Sequence, residues 1–496
     1  MERRREGVED QGGLKAMGIA TSSRLAGMNA NANANEIVAS LVARARDAQR
    51  AIENYTQQQA DDLALAAAWA IMEPSRNRSL AVRAVADTGL GNVEDKIAKN
   101  HRKTLGLMRD LQGAKTVGII SADPAKGLIE IARPVGVVAA ITPSTNPGAT
   151  PANKIINALK CRNAVIVAPS PKGQSTGAML VDYVHEELRK IGAPTDLVQI
   201  LPSPVMREAT HALMKAVDLI VATGSQANVR AAYESGTPAF GVGAGNVASI
   251  VDADADTNRA AQLIAKSKTF DNATSCSSEN SVVIVDAVYD AMLASLEGVG
   301  GVLVTAEEKA KLQATMWPEG KLAPAVTAQS SARIAQLAGL SRNELLQSRF
   351  LLVEETGTGK SYPFSGEKLS PVLTVYRARD FEAAKERVCA IYAFQGAGHS
   401  VSYHGNDDAH ILDLGLHLPV ARVIVNQAHA IATGGSFDNG LPFSLSMGCG
   451  TWGRNSFSDN LHYRHYLNIT RIARPIPERV PEVMDIFGDY LRRHGD

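Results

Sequence analysis

Apolar positions recur at helical spacing in the first fifth of the chain. Ile37, Leu41, Ala45 and Ala48 form one such set and Leu63, Ala66, Ala67 and Ala70 another, with breaks at "EPSRN" and "TGLGN". This period predicts several antiparallel helices between Asn35, the expected N-cap, and about Leu111. From "IEIARPVGVVAAITP" the pattern changes. Short β-branched runs at 135–142, 164–168, 197–201 and 218–222 alternate with amphipathic stretches at 151–160, 175–190, 205–215 and 225–235. Such alternation predicts a parallel sheet covered by helices. A second series follows "ASIVDADAD", with strands near 281–286, 302–304, 372–376, 400–403 and 422–425. The chain therefore reads as α/β with two α/β domains, one over 35–250 and one over 251–430. Residues 431–496 are expected to return to the first domain.

The stretch before Asn35, running into "MNANANANE", is low in complexity and lacks periodicity, so residues 1–34 read as a mobile tail. It has neither the apolar core nor the cleavage site of a secretory signal. The longest apolar runs, such as "VGVVAAI", are strand-length and far short of the roughly 20 residues of a membrane helix. No membrane association is expected. Basic and acidic residues number 51 each, so no net field favours nucleic acid. The four cysteines are widely spaced, with no CxxC or Cys/His metal pattern, which fits a reducing cytoplasm.

One of those cysteines stands out. Cys276, in "NATSCSSEN", lies among small polar residues directly before a β-branched run, so it belongs to a loop entering a strand rather than to a core. A loop thiol can reach a substrate, although most such cysteines are inert. Two glycine-rich stretches suggest nucleotides. "ETGTGKS" lacks the first glycine of a phosphate loop, since Glu354 stands there, and no helix follows it. "GVGAGN", Gly241 to Asn246, precedes the strand "ASIV" instead of a helix, so it is no standard dinucleotide turn. Its glycines still imply a tight path or a close approach of backbone to a ligand.

Several separated segments resemble, in order, the CoA-acylating branch of the aldehyde dehydrogenase superfamily. They are "PVGVVAAITPSTNP", "VATGSQANVRAA", "PAFGVGAGN", "SKTFDNATSCSSENSVV", "EKLSPVL", "GAGHS" and "MGCGTWGRNSFSDN", and the likeness extends over about residues 36–475. It implies a Rossmann-like cofactor domain, a catalytic domain and an oligomerisation segment, with a hairpin near 118–134 contributing to the last. Cys276 matches the nucleophile that attacks an aldehyde carbonyl, passes hydride to a nicotinamide and is left as a thioester. Asn146 matches the donor to the developing oxyanion, and Glu367 the contact to the nicotinamide ribose.

Further matches place the dinucleotide at Thr142, Pro143, Ser144, Ser170, Lys172, Gly224, Ser225, Gly241 and Gly243, with Ser225 at a helix N-terminus suited to a pyrophosphate. Lys172 is the only charge in "APSPKGQST", where an acid would exclude a 2′-phosphate. NADP and NAD are both admitted. Hydrolytic relatives carry a general-base Glu where this chain has Gly241, so thiolysis by CoA is favoured over hydrolysis. His399 matches the acylating branch and is expected to assist deprotonation of CoA.

The C-terminal segment is most similar to family members acting on sulfoacetaldehyde. That likeness implies an anionic aldehyde, with Arg454 as its expected partner and Arg422 and Arg464 as weaker candidates. Acetaldehyde, propionaldehyde and succinate semialdehyde remain alternatives, as does a hydrolytic dehydrogenase. The alternating segment "RHYLNITRIARPI" is expected to add an edge strand to a partner subunit in a homodimer or homotetramer.

Overall fold

The computed structural model describes residues 32–495. Four helices come first: α1 (32–51), α2 (Gln57–Met72), α3 (Pro74–Thr88) and α4 (Val93–Leu111). The first already runs at residue 32, so Asn35 lies inside it rather than capping it, and the expected tail overlaps its first turn. Residues 1–31 of that tail lie outside the described part. The predicted breaks are caps. Glu73 ends α2 and its carboxylate accepts the Arg76 amide to start α3, with Pro74 at the first helical position. Gly89, at φ 68°, ends α3 in the left-handed region that glycine adopts without strain.

A five-stranded parallel sheet follows in the order β5-β4-β3-β6-β7, from β3 (Val137–Thr142), β4 (Ala164–Pro169), β5 (Val198–Ile200), β6 (Leu219–Thr223) and β7 (Ala239–Val242). The helices between them are α5 (Ala149–Lys160), α6 (Gln174–Lys190), α7 (Arg207–Ala216) and α8 (Gln226–Glu234). Strand order reverses between β3 and β6, so the chain opens a crevice beyond their carboxyl ends. Both strands are nearly continuous apolar runs because helices cover both faces. Buried Lys154 fastens them from below, its Nζ donating to the carbonyls of Ile141 and Val221 at 2.5 and 2.8 Å.

A second, seven-stranded parallel sheet has the order β10-β11-β12-β9-β8-β13-β14. Its strands are β8 (Val247–Val251), β9 (Glu279–Val285), β10 (Gly301–Leu303), β11 (Phe350–Glu354), β12 (Val372–Ala378), β13 (Val401–His404) and β14 (Val423–Val425). Because β8 pairs with β9 and β13, the change of sheet falls at 243–246, ahead of the expected boundary at 250. Phe443, Leu461 and Tyr466 are buried in the core of the first sheet.

The hairpin is present as β1 (Gly118–Asp123) and β2 (Leu128–Pro134). The alternating segment forms β15 (Leu467–Ala473), which pairs with β2 of its own chain, completing a three-stranded antiparallel sheet. β15 thus uses one edge within its own chain and stands at the edge of this sheet, so the expected pairing with a second subunit concerns its other edge.

Helix α4 packs closely on the returning segment at Gly106, where an added Cβ would come within 2.2 Å of the Phe443 ring. Ala ordinarily stabilises a helix interior by about 1 kcal/mol relative to Gly. Here Gly106→Ala is expected to destabilise by about 1–3 kcal/mol through overpacking, read from the denaturation midpoint, and Phe443→Leu is expected to restore part of the loss.

Candidate active site

Helix α9 (Thr257–Thr269) ends directly before the nucleophile segment, and Asp271, Asn272 and Ala273 follow with φ of 51°, 51° and 58°. Three consecutive non-glycine residues in the left-handed region need an anchor. Asp271 provides it. Its buried carboxylate accepts from Lys96 Nζ at 3.0 Å, Lys99 Nζ at 2.6 Å, the Asn92 amide at 3.0 Å and Thr274 Oγ1 at 2.7 Å. Burial alone would raise its pKa, but Lys99 and Lys96 hold it below the usual carboxylate range. Burial beside Lys99 pulls Lys96 down to about 8. Cys276 follows within a turn closed by the Ser278 amide on the Ser275 carbonyl, at 3.0 Å, and β9 begins at Glu279.

The Cys276 Sγ lies 3.4 Å from Nε2 of His399. Burial, and then the Glu367 charge, push the thiol up to about 12, so it rests protonated at neutral pH. His399 is almost fully buried, and burial together with the Arg422 guanidinium holds its pKa well below the ordinary imidazole value. The ring is a neutral group whose Nδ1 meets Ser400 Oγ at 2.7 Å. With Nδ1–H donated to Ser400, Nε2 is free to accept the thiol proton.

Gly245 presses against this pair. A Cβ there would stand 2.4 Å from the Cys276 carbonyl oxygen and 3.0 Å from His399 Cδ2. Only glycine lets the backbone approach so closely. Its amide donates to Glu367 Oε1 at 3.2 Å, while burial raises the Glu367 carboxyl to about 8.

Cys276 opens onto a cleft of about 380 Å³ at the crevice of the first sheet. Asn146, Thr142, Pro143, Ser144, Ser170, Gly224, Ser225, Gly243 and Glu367 all line it, so most of the expected site converges. Ser225 caps α8, accepting the Asn228 amide. Ser170 Oγ is buried without a hydrogen-bond partner among the described residues. An orphaned hydroxyl beside a helix N-terminus fits a bound dinucleotide phosphate or ribose. Beyond Ser170 the groove continues past Met206, Arg207 and His211, which the sequence reading did not single out.

Three expected residues are placed differently. Gly241 does not line the cleft. A Cβ there would meet Val229 at 2.8 Å and the Tyr233 ring at 3.1 Å, and its amide and carbonyl both pair with Tyr233 Oη. Lys172 is exposed on the loop after β4 and lines neither stretch of the groove. Arg454 is exposed at φ 57°, outside the cleft lining, on a loop whose Gly453 packs against Ala397. Of the weaker candidates, Arg422 is spent on Asn460, His399, Gly448 and Ser458, and Arg464 stacks on Tyr463.

The family model described as "Aldehyde dehydrogenase family" matches residues 19–347. The chain belongs to the aldehyde dehydrogenase family. It is 68% identical over 462 residues to the sulfoacetaldehyde dehydrogenase (acylating) of Cupriavidus necator, covering 93% of this chain and 94% of that one. A sulfoacetaldehyde dehydrogenase (acylating) of Bilophila wadsworthia is 44% identical over 456 residues, 91% of this chain and 98% of its own. Among solved structures, an acetylating aldehyde dehydrogenase from Geobacillus thermoglucosidasius superposes with a TM-score of 0.87 at 36% identity, covering 91% of this chain and 99% of that chain.

For an aldehyde dehydrogenase the arrangement is chemically coherent: a thiol with a neutral base beside it, an amide at the cleft wall and a path for a dinucleotide. Lys96, Lys99, Asp271 and Gly245 were not singled out in the sequence. The lysines recur on α4 at a spacing that also describes a solvated helix face, and nothing local says that they are buried. With the thiol at about 12, iodoacetamide inactivation of the cofactor-free enzyme is expected to accelerate with pH through 9 and 10 without a plateau. Rates measured from pH 6 to 10 check this, and a plateau near 7 would show a preformed thiolate.

Proposed function

We propose that the protein oxidises sulfoacetaldehyde to sulfoacetyl-CoA, reversibly, with NADP or NAD, as a CoA-acylating aldehyde dehydrogenase. The observation that carries the acylating chemistry is the cleft beside Cys276, whose only lining carboxylate among the described residues is Glu367. That carboxyl is tied to the Gly245 amide and largely protonated at neutral pH. The cleft thus offers water no ionised carboxylate as its base at neutral pH and leaves His399, which suits a thiol co-substrate, more acidic and more nucleophilic than water. The substrate rests on the 68% identity to the Cupriavidus necator enzyme.

In this reading the Cys276 thiol adds to the aldehyde carbon while its proton moves to His399 Nε2, and the alkoxide oxygen of the thiohemiacetal is held by the Asn146 amide. A nicotinamide held in this cleft would supply the hydride acceptor, and loss of hydride from the thiohemiacetal carbon would leave the thioester on Cys276. Once His399 has released that proton to solvent, it takes the proton of the CoA thiol as the sulfur attacks the acyl carbon, and the Cys276 thiolate leaves and recovers a proton from His399. Thr142, Pro143, Ser144, Gly224, Ser225 and Gly243 hold the dinucleotide, and Glu367 its nicotinamide ribose. We assign the first sheet to the dinucleotide and the second to the acyl chemistry.

Arg454 is the sulfonate partner. Its loop packs against Ala397, two residues before His399, and its guanidinium makes no side-chain hydrogen bond among the described residues. A fork of donors suits a tetrahedral oxyanion. The protein acts in the cytoplasm as a homodimer or homotetramer, a reading supported by exposed Ile119 and Ile472 on the three-stranded sheet. No helix among the described residues is long and apolar enough to cross a membrane.

Cys276→Ala is expected to abolish NAD(P)H formation while dinucleotide binding, followed by fluorescence, persists; retained turnover would point to another thiol. Assayed on sulfoacetaldehyde with and without CoA at pH 7, the enzyme should form sulfoacetyl-CoA and little free acid. Glu367 is the one group that favours the hydrolytic reading, and because it ionises as pH rises through about 8, that reading expects CoA-independent acid to grow above this pH. Arg454→Ala should lower kcat/KM for sulfoacetaldehyde about ten- to a hundredfold and leave acetaldehyde and propionaldehyde nearly unchanged. Equal losses for all three would remove the substrate role.

A further inference from the structure

Lys99 is an unusual residue to find behind a catalytic cleft. Its side chain is buried, and its three ammonium hydrogens are matched by three acceptors: Asp271 Oδ2 at 2.6 Å, Asn146 Oδ1 at 2.8 Å and Thr274 Oγ1 at 3.1 Å. These acceptors come from two loops that belong to different sheets. Asn146 stands between β3 and α5, whereas Asp271 and Thr274 precede the nucleophile and β9. Helix α4 therefore reaches both halves of the site through one side chain.

The contact with Asn146 has a consequence for polarity. A carboxamide has one face that accepts and one that donates, and its two orientations are nearly equal in shape. An ammonium group can only donate. With Lys99 facing it, Asn146 must offer its oxygen inward, and the amide nitrogen is turned away from α4. That nitrogen makes no hydrogen bond with the described residues, and Asn146 lines the cleft that holds Cys276. A flipped amide would bring its N–H groups against the ammonium and present an oxygen lone pair to the developing alkoxide.

We infer that Lys99 is a positioning residue for the reaction, fixing the Asn146 carboxamide so that its N–H faces the carbonyl oxygen of the substrate bound at Cys276. This rests on the reading of Asn146 as oxyanion donor. Lys96 supplies the control. It shares Asp271 with Lys99, at 3.0 Å, but its other contact is the Thr145 carbonyl at 3.3 Å, and it does not touch the Asn146 side chain. What the two lysines have in common is support of the Asp271 loop; what only Lys99 does is orient the amide.

The test is first-turnover NAD(P)H formation from sulfoacetaldehyde in Lys99→Met, Asn146→Ala, the double variant and Lys96→Met, with dinucleotide affinity and melting temperature measured alongside. Asn146→Ala is expected to slow hydride transfer about 100- to 1,000-fold, as loss of one oxyanion donor does. If it slows transfer less than about threefold, the reading of Asn146 itself falls, whatever Lys99 does. Given the large Asn146 effect, Lys99→Met should cost about ten- to a hundredfold in the parent and less than about threefold more in the Asn146→Ala background, because both changes act on one donor. Lys96→Met should lower the melting temperature as Lys99→Met does, yet cost several-fold less in first-turnover rate than Lys99→Met. Multiplicative losses in the double variant, or equal rate losses from the two lysines, would overturn the inference and reduce Lys99 to support of the loop. Should Lys99→Met fail to fold, the same cycle with Lys99→Gln, one atom too short to reach Asn146 but still polar, carries the same expectations. Dinucleotide affinity unchanged within about threefold in the single variants separates orientation from a general loss of the cleft.

Discussion

A carboxylate without solvent, set between two ammonium groups of a single helix, holds this site together. An isolated buried charge costs several kcal/mol, and pairing offsets that cost only when the geometry is good and the remaining hydrogen-bonding capacity is filled. Asp271 meets both conditions through Lys96, Lys99, the Asn92 amide and Thr274. The pairing ties the segment before Cys276, which leads into the second sheet, to α4, which packs on the first. Backbone conformations at Asp271, Asn272 and Ala273 that cost about 1–3 kcal/mol each persist because this anchor over-determines them.

The electrostatics around the thiol follow from the same exclusion of water. Burial keeps Cys276 protonated and His399 neutral, so the resting pair is unreactive toward casual electrophiles and oxidants. Reactivity then depends on a substrate whose developing oxyanion is stabilised in place. Glu367 obeys the same rule, its carboxyl being neutral until a partner or a higher pH draws off the proton.

Much of the architecture was legible because parallel α/β sheets carry strong local signals. The runs at 135–142, 164–168 and 218–222 correspond to β3, β4 and β6 within a few residues, as do the helices between them. Strands β7 and β11 escaped notice: "AFGV" contains a glycine, and "FLLVE" is a short apolar run whose type periodicity cannot assign. At the site, Cys276, Asn146 and Glu367 were readable as motif residues, whereas their supports were not. Lys99 and Asp271 lie 172 residues apart in sequence, so no window of the chain contains their relationship. Gly241 shows the opposite failure. Its position in a motif suggested a place facing the thioester, but the pleat of β7 directs it at Val229 and Tyr233, and Gly245 is the glycine that meets the nucleophile.

The left-handed turn at Asp271 to Ala273 bears on how this chemistry could be moved between scaffolds. Copied alone, "FDNATSC" would relax into the conformations its residues prefer, since nothing within those seven residues neutralises the aspartate or compensates the strain. The smallest portable unit of the active centre is therefore discontinuous: the cysteine loop together with the two lysines of a helix that precedes it by more than half a domain of chain.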